Sequence, residues 1–532
     1  MVGSLKLAQW SIRFKLRIVL SLVCLAYFII SLIYRPIVGN DALQGMLSLH
    51  NYLNGEAWNK VLTLSQGNLA VTTSELTWWA PGQYQIPYFV SKILFVNIGT
   101  AVAILSFTSI LAGSYFYCKI FKLSGLSSEV VLCALVVLLL QRFININIIQ
   151  YSSSDLFLFF YTPFYLYIYY FIIKIFHGNG LWKFAILYVL NLFGLFIKNS
   201  FLLFELALNV FLITEYFFSK IQSRQNFFYK TQWINLLKGA LILLPFIAAF
   251  LTDYYLFLRL GDNPANSYGL NITASGILAG LFLPITEILF ASLSISGIYG
   301  NLFNKINVPD FVISGCMVIL LLLMVFSLHR NRHNLYATLK KSWTVRLVTV
   351  ISVLYVLYWL AFTLRRSAIS NEDRLFLPIA ILVFPYLLNC ILKSSAGIKY
   401  LFVILIFLSV SFGVSSFVLR IKKYAVGDSV SSKDPQLQGF KILSPRRDHN
   451  GDMANLARII SQKYPHHHIV ISDPGYAFEL GVNNQFVLSP MPIVKQKDAK
   501  RNNLLFLSFG KNRLPWFTQI YVSDEFILYQ PN

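Results

Sequence analysis

Charge is scarce in this 532-residue chain: only 12% of its residues are Asp, Glu, Lys or Arg, where a soluble protein carries about 25%. Carboxylates are rarer still, with 22 acidic residues against 44 Lys and Arg. Cysteine is sparse as well. The five present, Cys24, Cys118, Cys133, Cys316 and Cys390, lie in or beside apolar runs, with none in the polar tail. That placement excludes a disulfide scaffold, and their spacing excludes a cysteine-based metal site. Several motifs are also missing. No Walker A or G-x-G-x-x-G loop exists to cradle a nucleotide phosphate, and no D-x-D offers paired carboxylates to a metal-bound nucleotide sugar. No G-x-S-x-G nucleophile elbow and no H-E-x-x-H zinc motif occurs. The net charge of +22 forms no stripe interleaved with aromatics, which argues against a nucleic-acid surface.

What the chain has in abundance is apolar sequence: 56% hydrophobic and 16% aromatic residues, with a mean hydropathy of +0.62. Apolar runs near 20 residues recur along the first four-fifths, each long enough to cross a ~30 Å hydrocarbon core. A β-barrel would instead show ~10-residue alternating segments. The pattern therefore predicts an α-helical polytopic membrane protein with eleven spans, at about 16–34, 98–117, 128–141, 155–173, 182–197, 200–218, 233–252, 310–328, 345–364, 375–392 and 399–419. Basic residues precede the first run and no small-residue cleavage site follows it, so it reads as an uncleaved span with the N-terminus inside. On that orientation eighteen Lys and Arg fall in cytoplasmic segments, against ten in outer segments before the tail. The positive-inside rule asks for that bias. Segment 270–300 is apolar but interrupted by Pro284 and Glu287. It reads as a re-entrant or interfacial helix on the outer face. The alternative, a twelfth span, would put the basic "HRNRHNLYATLKK" outside.

Two segments leave the membrane. Residues 35–97 form a polar outer loop far longer than a helix connection needs. After Arg420 the composition turns polar, with a helix expected at "MANLARIISQKY" and strands at "HIVISD", "QFVLSP" and "QIYVSDEFILY". The expected organisation is a transmembrane module over 1–420 and a small extracytoplasmic α/β domain over 421–532.

Ionisable groups collect at the outer membrane junctions. Asp41 leaves the first span in "VGNDALQG", Asp155 opens the fourth in "QYSSSDLFLFF", and Lys198 closes the fifth in "GLFIKNSF". Arg365, Arg366 and Arg374 surround "SAISNED" between the ninth and tenth. A charge costs roughly 2.5–3.5 kcal/mol at the bilayer centre, so charges close to it tend to be functional. Helix packing can gather these six around one outer cavity, where two carboxylates and four cations suit an anionic phosphate. The patch "TWWAPGQYQIPYF" adds Trp78, Trp79 and Tyr84, whose aromatic faces suit pyranose rings. Each residue also has a plainer reading. Asn40 or Asp41 can cap a helix, as can Asp155. Lys198 can snorkel to the interface, the arginines can pair with Glu372 and Asp373, and the tryptophans can serve as belt anchors. His466, His467 and His468 look like a metal tract, but adjacent histidines before a strand point different ways.

The order of these motifs resembles the GT-C superfamily of membrane glycosyltransferases, which includes protein O-mannosyltransferases and the lipid A aminoarabinose transferases. The resemblance spans roughly 16–420. It rests on "GND" with Asp41, "LSLHNYLNGE", the aromatic-proline element "WWAPGQYQIPY", "SSSDLFLFF" with Asp155, "LFGLFIKNS" with Lys198, and the late "NEDRLFLP". Two departures stand out: Ala42 follows Asp41 where the family often has a second acid, and "APGQ" replaces a proline pair. The resemblance implies sugar transfer from a polyprenyl-phosphate donor to a glycan, lipid or protein acceptor outside, by an inverting single displacement. It implies Asp41 as general base, Asp155 orienting the acceptor or a cation, and Lys198 with Arg365, Arg366 and Arg374 holding the donor phosphate. Trp78, Trp79 and Tyr84 would line the substrate cavity. No cofactor is indicated, though the set is compatible with a divalent metal. The implied setting is a bacterial plasma membrane, with the N-terminus cytoplasmic and the C-terminus outside. The competing expectations are a lipid or glycan transporter, which calls for internal repeats and mid-span charges, and a non-catalytic scaffold whose tail binds an outer partner.

Overall fold

The computed structural model describes residues 2–64, 70–77, 79–152, 154–174, 180–221, 241–259, 342–365, 373–425, 429–443, 452–489, 503–509, 517–523 and 525–531, with Leu322, Phe326, His329, Arg330 and Arg332. Hydrocarbon offers no water to the backbone, so long apolar sequence satisfies its own N–H and C=O groups as helix. The helices run α1 (Val2–Ile33), α2 (Asn40–Leu53), α3 (Gly82–Leu94), α4 (Ile98–Leu123), α5 (Ser128–Leu140), α6 (Arg142–Ile149) and α7 (Asp155–Lys174). They continue as α8 (Gly180–Ile197), α9 (Phe201–Ile221), α10 (Leu244–Asp253), α11 (Trp343–Arg365), α12 (Asp373–Leu392) and α13 (Ala396–Ala425). The tail adds α14 (Asp452–Lys463) and α15 (Gly475–Leu480).

Among the described residues, five helical stretches are long and apolar enough to cross a membrane: Ile12–Ile33, Ile98–Leu123, Asp155–Ile172, Gly180–Ile197 and Ala396–Lys422. They coincide with five of the eleven expected spans. The expected span at 128–141 falls short. It is α5, 13 residues long, and at 1.5 Å per residue it reaches about 20 Å. The runs at 200–218, 345–364 and 375–392 are helical as α9, α11 and α12. Segment 270–300, most of 310–328 and the start of 233–252 lie outside the described residues.

Strands are β1 (Ile37–Val38), β2 (Lys60–Leu64), β3 (Val71–Glu75), β4 (Gln150–Tyr151), β5 (Ser429–Ser431) and β6 (Lys441–Leu443). The remainder are β7 (His468–Ile471), β8 (Phe486–Leu488), β9 (Leu504–Phe509), β10 (Phe517–Val522) and β11 (Phe526–Pro531). They build two sheets, ordered β4-β1-β6-β5 and β10-β11-β9-β7-β8-β2-β3. In the first, β1 lies parallel to both β4 and β6, with Ile37 opposite Gln150 on one side and Lys441 on the other. In the second, the β2–β3 hairpin joins the tail through Leu62 beside Val487. Strands from residues 35–97 and from the tail thus share both sheets. Alternation along β7 sends Ile469 and Ile471 into the main core, which also holds Leu43, Met46, Tyr165 and Phe204. Val470 points to the opposite face, where it packs with Leu62, Val487, Phe506 and Tyr529. In α14, Met453, Leu456 and Ile460 are buried at helical spacing.

Candidate active site

Asp41 stands in the first turn of α2, where a carboxylate is favoured by the positive end of the helix dipole. The cap position itself is Gly39, in extended conformation, with no side-chain cap hydrogen bond. Neither Asn40 nor Asp41 is therefore the cap expected from sequence. Ala42 beside it is fully buried, so the position where the resembled family carries a second acid faces packed side chains here.

Asp155 opens α7 in the same first-turn setting. It is about 3% exposed and forms an ion pair with Lys198, which follows α8 and is about 12% exposed. The plain reading of Lys198 as a snorkelling residue therefore gives way to a paired, mostly buried ammonium. Ser154 Oγ donates to the Ile197 carbonyl at 2.7 Å, fixing the two helix ends beside the pair. Asp41 and Asp155 are brought into one neighbourhood by β1 and β4. The Gly39 N–H donates to the Tyr151 carbonyl at 2.8 Å, two residues before Asp41 and four before Asp155. A Cβ on Gly39 would lie 3.2 Å from Ser152 Cα, so glycine suits this close approach.

The aromatic-proline element closes against the same spot. Asn199 Nδ2 donates to the Thr77 carbonyl at 2.9 Å. The Tyr151 hydroxyl donates to the Gln83 carbonyl. Gly82 abuts the end of α8, where a Cβ would meet the Phe196 carbonyl oxygen at 2.5 Å. Trp79 is half-buried and its Nε1 donates to Gln44 Oε1 on α2 at 3.3 Å. Tyr84 departs from its expected place in a cavity wall: it is 1% exposed, its ring lies against Gly45, and its hydroxyl donates to Asn59 Oδ1. It packs α3 on α2. Trp78 and Arg366 lie outside the described residues. Arg365 ends α11 and Arg374 sits in the first turn of α12; their side chains are outside the described part.

Sequence reasoning missed how the far end of α2 is held. His50 Nδ1 faces Asp434 Oδ2, and His50 Nε2 lies 2.9 Å from the Asn484 carbonyl. Asn51 exchanges two 2.8 Å hydrogen bonds with the Phe486 backbone, acting as an extra residue on the edge of β8. Burial pushes the Asp434 carboxyl up, but the hydrogen bond and charge of His50 and the N–H groups of Gln436 and Leu437 outweigh it and hold the group below the usual range. The available signal was "LSLHNYL", two polar residues inside an amphipathic helix. In the histidine tract, His468 enters β7, and burial with two flanking imidazoles lowers His467. Among the described residues, no group of three or more His, Cys, Asp or Glu is placed to hold a metal ion.

Five helices long and apolar enough to cross a membrane, joined to two small sheets, define a helical membrane protein. No protein-family model matches the chain, and no curated protein matches it. Among solved structures, it is similar to the archaeal oligosaccharyltransferase AglB from Archaeoglobus fulgidus in complex with an inhibitory peptide and a dolichol-phosphate. That likeness has 11% identity and a TM-score of 0.47, over 93% of this chain and 70% of the other. It is also similar to ArnT from Cupriavidus metallidurans in the apo state, with 10% identity and a TM-score of 0.48 over 96% of each chain. For ArnT bound to undecaprenyl phosphate the figures are 11%, 0.46 and 96% of each.

Proposed function

We propose that this chain is an integral-membrane glycosyltransferase. It moves a sugar from a polyprenyl-phosphate donor to a glycan, lipid or protein acceptor on the outer face, with inversion. The observation that supports this best is the Asp155–Lys198 ion pair at a membrane junction, one short sheet away from the turn that carries Asp41. In this reading a carboxylate serves the acceptor hydroxyl and a cation serves the leaving phosphate, as the motif order implies.

In this reading the Asp41 carboxylate takes the proton of the acceptor hydroxyl as its oxygen attacks the anomeric carbon. The bond between that carbon and the phosphate oxygen breaks, and its electron pair leaves with the lipid phosphate. Lys198, held in place by Asp155, and the arginines at 365, 366 and 374 stabilise that developing charge. The setting is a bacterial plasma membrane with the N-terminus cytoplasmic.

The test uses membranes from cells making the chain, with polyprenyl-phosphate-linked sugars followed by mass spectrometry. Wild type consumes one such donor. Asp41→Asn slows that consumption by about 10²–10⁴-fold, the usual worth of a general base. Consumption at the wild-type rate by Asp41→Asn would sink the assignment.

A further inference from the structure

A cavity of about 220 Å³ opens where α1 leaves its apolar run, bounded by Ile33, Tyr34, Arg35, Ile37, Ser431 and Lys441. None of the residues assigned to transfer lines it. Its two cations come from opposite ends of the chain and are brought together by the pairing of β1 with β6. Among the described residues neither is in an ion pair. Two cations lining one small cavity make it attractive to an anion.

The surroundings say where that anion comes from. The last turns of α1 expose Phe28, Ile29, Leu32 and Ile33, the last two at 69% and 66%, and Ile33 itself reaches the cavity. On α13, which touches α1 through the edge-on rings of Tyr27 and Phe417 at 6.0 Å, Val418 and Leu419 are likewise exposed. The next residue, Arg420, donates from Nη1 to Gln150 Oε1 at 2.5 Å, beside Ile149 in the cavity wall. An exposed apolar track thus leads along α1 and α13 into a cationic cup with a hydroxyl on its rim.

We propose that this cup binds the phosphate of an anionic membrane phospholipid, with the acyl chains lying along α1 and α13. Arg35 and Lys441 neutralise the phosphate, Ser431 and Tyr34 offer hydroxyl donors, and the bound lipid cements the first sheet to the end of α1. A free phosphate shares the headgroup chemistry but gains nothing from the apolar track.

Native mass spectrometry of the full chain in detergent tests this without reading transfer, so it stands or falls apart from the proposed function. Phosphatidylglycerol is expected to stay bound where phosphatidylcholine is lost. Each cation removed, in Arg35→Gln and Lys441→Gln, weakens retention by about fivefold. Ser431→Glu, which places a carboxylate in the cup, does the same and serves as the deciding variant if either glutamine variant unfolds. Equal retention of the two lipids, or unchanged phosphatidylglycerol binding in Ser431→Glu, overturns the proposal. Displacement of phosphatidylglycerol by inorganic phosphate also overturns it, by making the cup a site for soluble anions.

Discussion

His50 Nδ1 lies 2.5 Å from Asp434 Oδ2, a polar contact across 384 residues of chain with both side chains 1% exposed. The second ring nitrogen lies 2.9 Å from the Asn484 carbonyl and 3.2 Å from Asn54 Nδ2, so both nitrogens of the ring are engaged. α2 therefore carries Asp41 at one end and is bolted to the tail at the other.

The pair makes attachment of the tail acid-sensitive. The folded pKa of Asp434 is depressed, so its contribution to stability is present above the ordinary carboxyl value near 3.9 and is lost as pH falls below that through the depressed value. Thermal unfolding of the full chain in detergent should show this acid limb. Asp434→Asn should flatten it and, at neutral pH, cost about 1–3 kcal/mol by replacing a carboxylate hydrogen bond with a weaker neutral one. An unchanged acid limb in the variant would place the sensitivity elsewhere.

How much of this was legible in the sequence depended on the range of the interaction. Ile12–Ile33 and Ala396–Lys422 are dictated by local composition, and α14 by Met453, Leu456 and Ile460 one apolar face apart. Charges at the ends of apolar runs revealed Asp41, Asp155 and Lys198 as residues at junctions. Their partners were hidden, because the Asp155–Lys198 pair closes over 43 residues and the clamp at His50 over far more. β1 is two residues long and acquires its strand character only from β4 and β6. The segment "KVLTL" carries no mark saying that Val487, from the tail, will lie beside Leu62. α5 misled for the opposite reason: its composition is apolar enough for a span, but Gln141 ends the helix after 13 residues.

The pairing of Asp155 with Lys198 predicts strong coupling between them. With exposures of about 3% and 12%, removing either partner strands a mostly buried charge. Lys198→Met and Asp155→Asn should each destabilise the protein by about 3–5 kcal/mol, while the double variant recovers much of that loss. Unfolding midpoints of the four proteins complete the cycle. The activity readout separates structure from chemistry: in the proposed reaction the stabilised double variant still lacks the cation beside the leaving phosphate, so transfer stays impaired. Recovery of transfer together with stability would reduce Lys198 to a structural role.

Tyr84 and Gly45 offer the sharpest test of how α3 seats on α2. A Cβ added to Gly45 would fall 2.4 Å from Tyr84 Cδ1, inside any contact that real atoms adopt. The ring is held by the bond of its hydroxyl to Asn59 Oδ1, so it cannot simply swing away. Gly45→Ala should therefore cost about 1–3 kcal/mol from overpacking. Tyr84→Leu alone should also destabilise, by opening a gap and leaving Asn59 without its donor. Combined, the two substitutions should be less damaging than their sum, since the smaller side chain makes room for the new methyl. Tyr84→Phe keeps the packing and loses the hydrogen bonds of the hydroxyl, that to Asn59 among them, so in the proposed reaction it should lower stability and leave the KM for acceptor unchanged. A raised KM in that variant would return Tyr84 to the cavity wall where the sequence first placed it.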